Sequence, residues 1–245
     1  MDLSALKALG PCAGELMPLS ARVPRWRPGL ACSPHSEVFA YANEASGAAL
    51  ALALALDGLG QERIGQRHVL WVQDKGALRL NGRPYRPGLP PALRRRLIHV
   101  CAANPEDALF ALEEGLRCRE LACVIGEIAG NPKALDFTAS RRLTLTAEKH
   151  GVPLLLVRHD AARDLSSARM RWQVRAAPSL APRWNAASPG SPAWHAELFR
   201  ARGHSPGEWI LRDDGQVLAA DDRSAGTPDH GDLAVPAGGR SLAAG

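Results

Sequence analysis

Short, almost wholly apolar segments alternate with helical segments along the middle of this chain. HVLWV spans residues 68–72, LACVI spans 121–125 and VPLLLV spans 152–157. A strand without polar residues is covered on both faces, as in a parallel sheet between two layers of helices. Strand and helix follow each other about four times, which predicts an α/β fold with a three-layer core and a mainly parallel central sheet.

Local signals predict where several helices begin and end. Asn104 is a suitable N-cap, and Pro105 suits the first helical position because its missing N–H needs no partner there. Gly151 is a natural C-terminal stop for a helix over 138–149. A further helix is predicted over 46–58, and the Gly-, Pro- and Arg-rich residues 76–91 are predicted to form a surface loop.

The hydrophobic period changes after residue 169. Met170, Trp172 and Val174 alternate with arginine and glutamine, which predicts a strand with one apolar and one cationic face. Further strands are predicted at 194–199 and 209–211. We expect these late strands to extend one edge of the sheet in antiparallel fashion.

Composition suggests three parts. Residues 1–34 are predicted to hold a short helix and a Pro/Arg-rich connector, 35–212 the α/β core, and 213–245 a disordered acidic tail poor in large apolar residues. Trp26, in the connector, is predicted to dock either onto another protein or onto the core of its own chain.

Charge is distributed unevenly along the sequence. Residues 1–132 carry 15 basic and 13 acidic groups (net +2), 133–212 carry 13 and 6 (net +7), and 213–245 carry 2 and 6 (net −4). This asymmetry favours a polyanionic partner, with the acidic tail shielding the basic part. An ordinary arginine-rich surface explains it equally well.

Several classes of protein are disfavoured. No uncharged apolar run is long enough to span a membrane, and the N-terminus has no basic region typical of a signal peptide. The five cysteines form no CxxC pair, and neither they nor the histidines show metal-ligand spacing. We therefore expect reduced thiols, no metal and a cytoplasmic location.

A degenerate phosphate loop lies between the first strand and helix 46–58. Residues 42–49 read ANEASGAA, whereas a working loop reads GxxxxGK[ST], with a lysine on the phosphates and a hydroxyl on Mg²⁺. Gly47 is the one match, and alanine stands in place of the lysine and the hydroxyl residue. The candidate residues are Asn43, Glu44, Ser46, Gly47, Ala48 and Ala49.

A family resemblance rests on segments spread over about residues 30–212. The segments are PHSEVFA, HVLWVQD, ALFALEEGLRCRELACVIGEI, LDFTASRRLTLTAEKHGVPLLLVR, SSARMRWQVRAAPS and WHAELFRARGHSPGEWIL. Together they resemble the ImuA family, RecA-like accessory proteins of damage-inducible mutagenesis cassettes. The resemblance implies a RecA-like core and a role in SOS-induced translesion synthesis, with an ImuB-like Y-family protein, an error-prone DnaE-type polymerase and RecA as expected partners.

The same resemblance implies that the ATPase groups are lost. The position of the catalytic glutamate of RecA corresponds to about Lys75, and the magnesium-supporting (Walker B) position to Gly126, with Glu127 beside it. Lysine cannot serve as a general base for water at neutral pH, and one carboxylate alone is not a hydrolysis site. We therefore expect no enzyme activity and no cofactor.

The resemblance also implies a working face. Two loops, 129–137 and 159–168, correspond in position to the DNA-binding loops of RecA. The candidate residues for contact with single-stranded DNA or a protein partner are Lys133, Arg158, Arg163, Arg169 and Arg171. A location at the nucleoid during DNA damage follows from this role. Two alternatives are a SulA-type cell-division inhibitor and a weak nucleotide-dependent DNA-binding ATPase.

Overall fold

The computed structural model describes residues 23–60, 66–182, 185, 188–214 and 217–222. Within them, the strands are β1 (His35–Ala40), β2 (His68–Asp74), β3 (Leu97–Ala102), β4 (Leu121–Ala129), β5 (Leu154–His159), β6 (Met170–Ala176), β7 (Ala193–Ala201), β8 (Gly207–Asp213) and β9 (Leu218–Asp222). The helices are α1 (Ser46–Leu59), α2 (Lys75–Asn81), α3 (Pro91–Arg94), α4 (Pro105–Arg117) and α5 (Phe137–His150), with a 3-10 turn at Arg86–Gly88.

All nine strands form one sheet, in the order β3-β2-β4-β5-β1-β6-β7-β8-β9. The pairs from β3 to β6 are parallel, and the pairs from β6 to β9 are antiparallel. The predicted fold class is confirmed: a mainly parallel α/β sheet carries antiparallel strands added near the C-terminal end. This architecture is consistent with a RecA-like core.

The central strands are covered on both faces, which explains their uniform hydrophobicity. Ile125 of β4 and Val157 of β5 pack in one apolar cluster with α1. Val124 and Leu156, one residue away on the same strands, pack in a second cluster with α4 and α5. Because successive side chains of a strand point to opposite faces, both registers must be apolar here.

The predicted helix signals operate as expected. The side chain of Asn104 accepts a hydrogen bond from the Asp107 N–H at 2.8 Å, so it caps α4. Gly151 adopts φ 66°, the left-handed conformation that ends α5. Helix α1 ends within one residue of its predicted boundary. None of the helices in the described part of the chain is long and apolar enough to cross a membrane.

The surface loop predicted over 76–91 is wrong in its first part, because helix α2 occupies residues 75–81. Asp74, the last residue of β2, caps this helix by accepting a hydrogen bond from the Ala77 N–H at 2.7 Å. Ala77, within the helix, is buried, and Gly82 ends the helix with φ 70°. A single carboxylate at the end of a strand therefore starts a helix that hydrophobic periodicity does not indicate.

The predicted domain boundaries also need correction. Strand β9 lies inside the segment predicted to be a disordered tail; it pairs with β8, buries Leu218, and Asp221 forms an ion pair with Arg212. At the other end, Trp26 is buried although the core was predicted to start at residue 35. The helix predicted near the N-terminus and the tail from residue 223 lie outside the described residues.

Trp26 docks onto the core of its own chain. Its ring packs edge-on against Trp172 of β6, with centroids 4.8 Å apart, and against Trp209 of β8, with centroids 5.4 Å apart. A parallel bridge between Arg25 and Ser205 holds the same segment at the backbone. The aromatic pairs add favourable energy to the large apolar area that they bury.

We expect replacement of Trp26 by alanine to lower the free energy of unfolding by about 3–5 kcal/mol, because it leaves a cavity between Trp172 and Trp209. Urea denaturation followed by circular dichroism measures the change. Tyr85→Ala is the matched control, since Tyr85 is 74% exposed and its removal should change stability little. Equal stability of the two variants would contradict the described packing.

Candidate functional site

The segment at the predicted phosphate loop is held by carboxylates of this chain. Residues 41–45 join the carboxyl end of β1 to α1, and the Glu44 N–H closes a turn onto the Tyr41 carbonyl at 3.2 Å. The Glu44 carboxylate accepts hydrogen bonds from the Ser46 hydroxyl at 2.9 Å and the Ala176 N–H at 2.6 Å. Asp160 Oδ1 accepts one from the Ala42 N–H at 2.9 Å.

Gly47 is required for helix packing. A Cβ at this position would lie 2.7 Å from the Cβ of Ala40 and 2.8 Å from Cγ1 of Val157. Helix α1 therefore approaches β1 and β5 too closely for a side chain. Asn43 and Ala49 are exposed, and Ala48 packs at the margin of the core. Because the side chain of alanine is a methyl group, neither alanine brings a polar group to the loop.

Glu127 lies at the centre of a buried hydrogen-bond network. Its Oε1 accepts from Trp71 Nε1 at 2.6 Å and from Gln73 Nε2 at 3.0 Å. Its Oε2 accepts from Asn81 Nδ2 at 3.3 Å and from His159 Nε2 at 2.8 Å. The residue is 1% exposed. Four donors from β2, α2 and β5 therefore engage the carboxylate and seal it from water.

The structure brings the predicted phosphate-loop and magnesium-position residues close together. The ring of His159 that contacts Glu127 also lies below Gly47, whose Cβ would be 3.9 Å from His159 Cε1. Gly126 faces the opposite side of the sheet, where Leu112 of α4 and Leu156 of β5 approach it closely. Lys75 is exposed at the first position of α2, outside this network.

The residues present do not fit a magnesium-bound triphosphate. Glu44 and Asp160 place negative charge beside the loop, where it would repel phosphate. Glu127 has no exposed oxygen for a metal-bound water, and the described residues contain no cluster of three metal-ligating side chains. The arrangement suits a structural network that ties β2, β4, β5 and α2 together at the carboxyl edge of the sheet.

Sequence reasoning missed most of this network. Trp71, Gln73, Asn81 and His159 were not among the predicted site residues. A signal was present, since Gln73 and His159 both lie near the carboxyl ends of strands whose central residues are apolar. The carboxyl ends of parallel strands meet at one edge of the sheet, so polar residues there come together.

Two of the predicted surface cations are in the interior, which corrects the expectation that they form an exposed face. Arg171 is 3% exposed and its Nε donates to Glu37 at 2.7 Å, while Arg158 is 4% exposed and lies 3.9 Å from the same carboxylate. Both guanidinium groups pack on the ring of Phe39. Burial of a cation requires such a partner, which the alternating pattern does not reveal.

The remaining three cations differ in their surroundings. Arg163 is exposed, pairs with Glu197 at 2.8 Å and stacks 4.0 Å from the centroid of Phe199. Arg169 is paired with Glu148 of α5. Lys133 is exposed in the loop between β4 and α5. Arg158, Arg163 and Arg171 are nevertheless connected, because Arg171 shares Glu37 and the Phe39 ring with Arg158 and the Phe199 ring with Arg163.

A buried histidine lies beside the Glu37 cluster. His35 Nδ1 is 2.8 Å from the Thr144 hydroxyl of α5. Burial lowers the pKa of His35 from 6.5 to about 4; Glu37 opposes this shift, and Arg169, Arg171 and Arg158 add to it. The imidazole is thus neutral in the folded protein at neutral pH.

We expect alanine at Gly47 to lower the free energy of unfolding by about 1–3 kcal/mol, because α1 must move away from β1 and β5. Urea denaturation is the measurement. Ala49→Ser, on the exposed side of the same helical turn, is the control and should change stability little. A fully stable Gly47→Ala protein would show that the close approach is not real.

Stability should fall as the pH is lowered from 6.5 towards 4. The unfolded chain protonates His35 near pH 6.5, whereas the folded chain does so only near 4, so acid favours unfolding over this interval. The loss attributable to this group is about 2–3 kcal/mol. His35→Asn should show a shallower dependence in urea denaturation at several pH values. Parallel profiles for the two proteins would refute the assignment.

Comparison with known proteins gives one consistent result. Protein ImuA from Caulobacter vibrioides, in strains NA1000 and CB 15, is 34% identical to this chain over 159 residues. The match covers 59% of this chain and 59% of each relative, so it spans less than two thirds of the relatives' length. No family model matches the chain.

Proposed function

We propose that this chain, whose similarity to Protein ImuA supports membership of the ImuA family, acts in damage-inducible mutagenesis as a non-catalytic RecA-like adaptor. Its partners are an ImuB-like Y-family protein and an error-prone DnaE-type polymerase, with RecA and single-stranded DNA as further candidates. In this role the protein uses surfaces of the scaffold, and no nucleotide is hydrolysed.

The observation that carries the non-catalytic part is the position of Glu127. A residue that supports magnesium or activates water must present an oxygen to the ligand. Both oxygens of Glu127 instead accept hydrogen bonds from side chains of the core, and the group is buried. Ala48 and Ala49 supply no lysine ammonium and no hydroxyl, and Glu44 adds an opposing charge nearby.

The adaptor role draws on the similarity to Protein ImuA and on the fold. A RecA-like sheet without a nucleotide site keeps its loops and helix faces for protein contacts. The antiparallel strands β7 to β9 enlarge the sheet beyond its parallel part and add further surface. Binding of partners through such surfaces needs no chemistry at the degenerate loop.

We expect Ala49→Glu to support damage-induced mutagenesis as well as the unaltered protein. A carboxylate in the first turn of α1 is favourable for the helix dipole but would repel a triphosphate. The measurement is the frequency of ultraviolet-induced mutants in a host that carries the ImuB-like and DnaE-type genes and lacks its own copy of this gene. Co-purification with the ImuB-like protein from damage-treated cells is measured in parallel.

Nucleotide dependence would give the opposite pattern. Saturable binding of a fluorescent ATP analogue by the unaltered protein, lost in Ala49→Glu together with mutagenesis, would overturn the non-catalytic proposal. Normal mutant frequency in cells without the gene would overturn the role in mutagenesis. Recovery of the cell-division GTPase in place of the ImuB-like protein would favour the SulA-type alternative.

A further inference from the structure

A concave surface of about 570 Å³ lies between α5, the segment preceding β6 and the end of β7. We call it the α5 cleft. Its larger side chains are Phe137, Arg141, Leu145, Arg169, Arg200 and Arg202. The volume is within the range of about 300–1,000 Å³ that is typical of ligand-binding pockets. None of its residues belongs to the degenerate nucleotide site.

The rim of the α5 cleft is cationic. Arg141, Arg200 and Arg202 are exposed, and none of the three has a salt bridge to an acidic side chain in the described part of the chain. Arg169 is the exception, because Glu148 neutralises it. Along the outer side of α5, Lys149 continues the positive charge. The cleft thus concentrates positive potential with little compensation.

The cleft also exposes apolar side chains. Phe137 is 42% exposed and Leu145 is 51% exposed, so two large apolar side chains that line the cleft face solvent. The hydroxyl groups that line it are already hydrogen-bonded: Ser166 donates to Glu37 at 2.8 Å, and Thr144 lies 2.6 Å from the Ser167 hydroxyl. A ligand therefore finds both apolar contact and positive charge in the cleft.

We propose that the α5 cleft binds an acidic protein segment that carries one apolar anchor, such as phenylalanine or leucine. The anchor covers Phe137 and Leu145, and flanking carboxylates pair with Arg141, Arg200 and Arg202. A buried apolar anchor with charges around it is the common form of a protein-binding hot spot. This inference rests on the proposed adaptor function and names the chemistry of one of its partners.

The cleft is less suited to single-stranded nucleic acid. Such ligands are held by a basic track with successive aromatic side chains on which bases stack. Among the residues that the structure describes, Phe137 is the one aromatic side chain that lines the cleft. The aliphatic Leu145 beside it offers no stacking surface, and the concavity is compact. The observations therefore favour a peptide over a nucleic acid strand.

Selection from a displayed library of random peptides of about 12 residues tests the proposal on the purified full chain. We expect the selected peptides to contain aspartate or glutamate around a single apolar anchor. Their affinity should fall at least roughly tenfold in Arg141→Glu and in Arg200→Glu, and it should fall with rising salt. Leu145→Ser should weaken binding without altering its salt dependence.

The control is Arg95→Glu, since Arg95 is an exposed arginine just before β3, an edge strand that four strands separate from β6 in the sheet. This variant should bind the selected peptides as the unaltered protein does, and thermal unfolding should show all four variants folded. Failure to select acidic peptides, or equal binding by Arg141→Glu, would overturn the proposal. Displacement of the peptides by an oligothymidylate of about 20 nucleotides would assign the cleft to nucleic acid instead.

The proposed peptide-binding cleft and the proposed function in mutagenesis can fail independently of each other. Peptide binding is measured on purified protein, whereas mutagenesis is measured in cells. If no acidic peptides are selected and Arg141→Glu complements mutagenesis normally, the cleft is not a peptide-binding site, and the adaptor role is unaffected. Selected peptides from a protein whose gene has no effect on mutagenesis would remove the proposed function and keep the cleft as a peptide-binding site.

Discussion

The carboxylate of Glu127 links the elements on which the carboxyl edge of this sheet depends. Its two oxygens join Trp71 and Gln73 of β2 to His159 of β5 and Asn81 of α2. Removing the carboxylate would leave several buried donors without an acceptor, each at a cost of about 1–3 kcal/mol. This buried carboxylate therefore holds the scaffold together at the carboxyl edge of the sheet.

A second buried acid performs a similar task on the opposite face. Glu37 of β1 neutralises Arg171 of β6 and lies close to Arg158 of β5, while Ser166 donates to the same carboxylate. These contacts lie at the junction between the parallel and antiparallel parts of the sheet. They also explain why a strongly basic segment of the sequence yields fewer surface cations than its composition indicates.

Much of the fold could be predicted from the sequence because local signals and global packing agree. Each of the main local signals favours a single structure. These signals are the apolar strands at 121–129 and 154–159, the cap at Asn104 and the helix stop at Gly151. The antiparallel addition was also predictable, from the alternation of Met170 and its neighbours. Strand β9 was missed because the burial of Leu218 depends on tertiary contacts, whereas helix α2 was missed because its one local signal, the cap at Asp74, lies in a segment rich in glycine, proline and arginine.

The sequence indicates which groups the phosphate loop lacks, but it does not indicate the surroundings of Glu127. The missing lysine and hydroxyl residue can be read directly from Ala48 and Ala49, whereas the burial of Glu127 cannot be read from a single glutamate after an apolar strand. The burial of the cations is equally hidden in the sequence. Arg171 is one of the polar residues that alternate with apolar ones in β6, yet it is buried because it donates a hydrogen bond to Glu37 of the neighbouring strand. Periodicity assigns a face and does not identify a partner across the sheet.

The packing of Gly47 against Ala40 and Val157 and the donors around Glu127 limit what a substitution near this loop can achieve. Introducing a triphosphate site would require a lysine, a hydroxyl residue, removal of the charge at Glu44 and release of Glu127 from its donors. No one of these changes creates a site alone, and the last disturbs the core. Substitutions at exposed positions, in contrast, leave this packing intact.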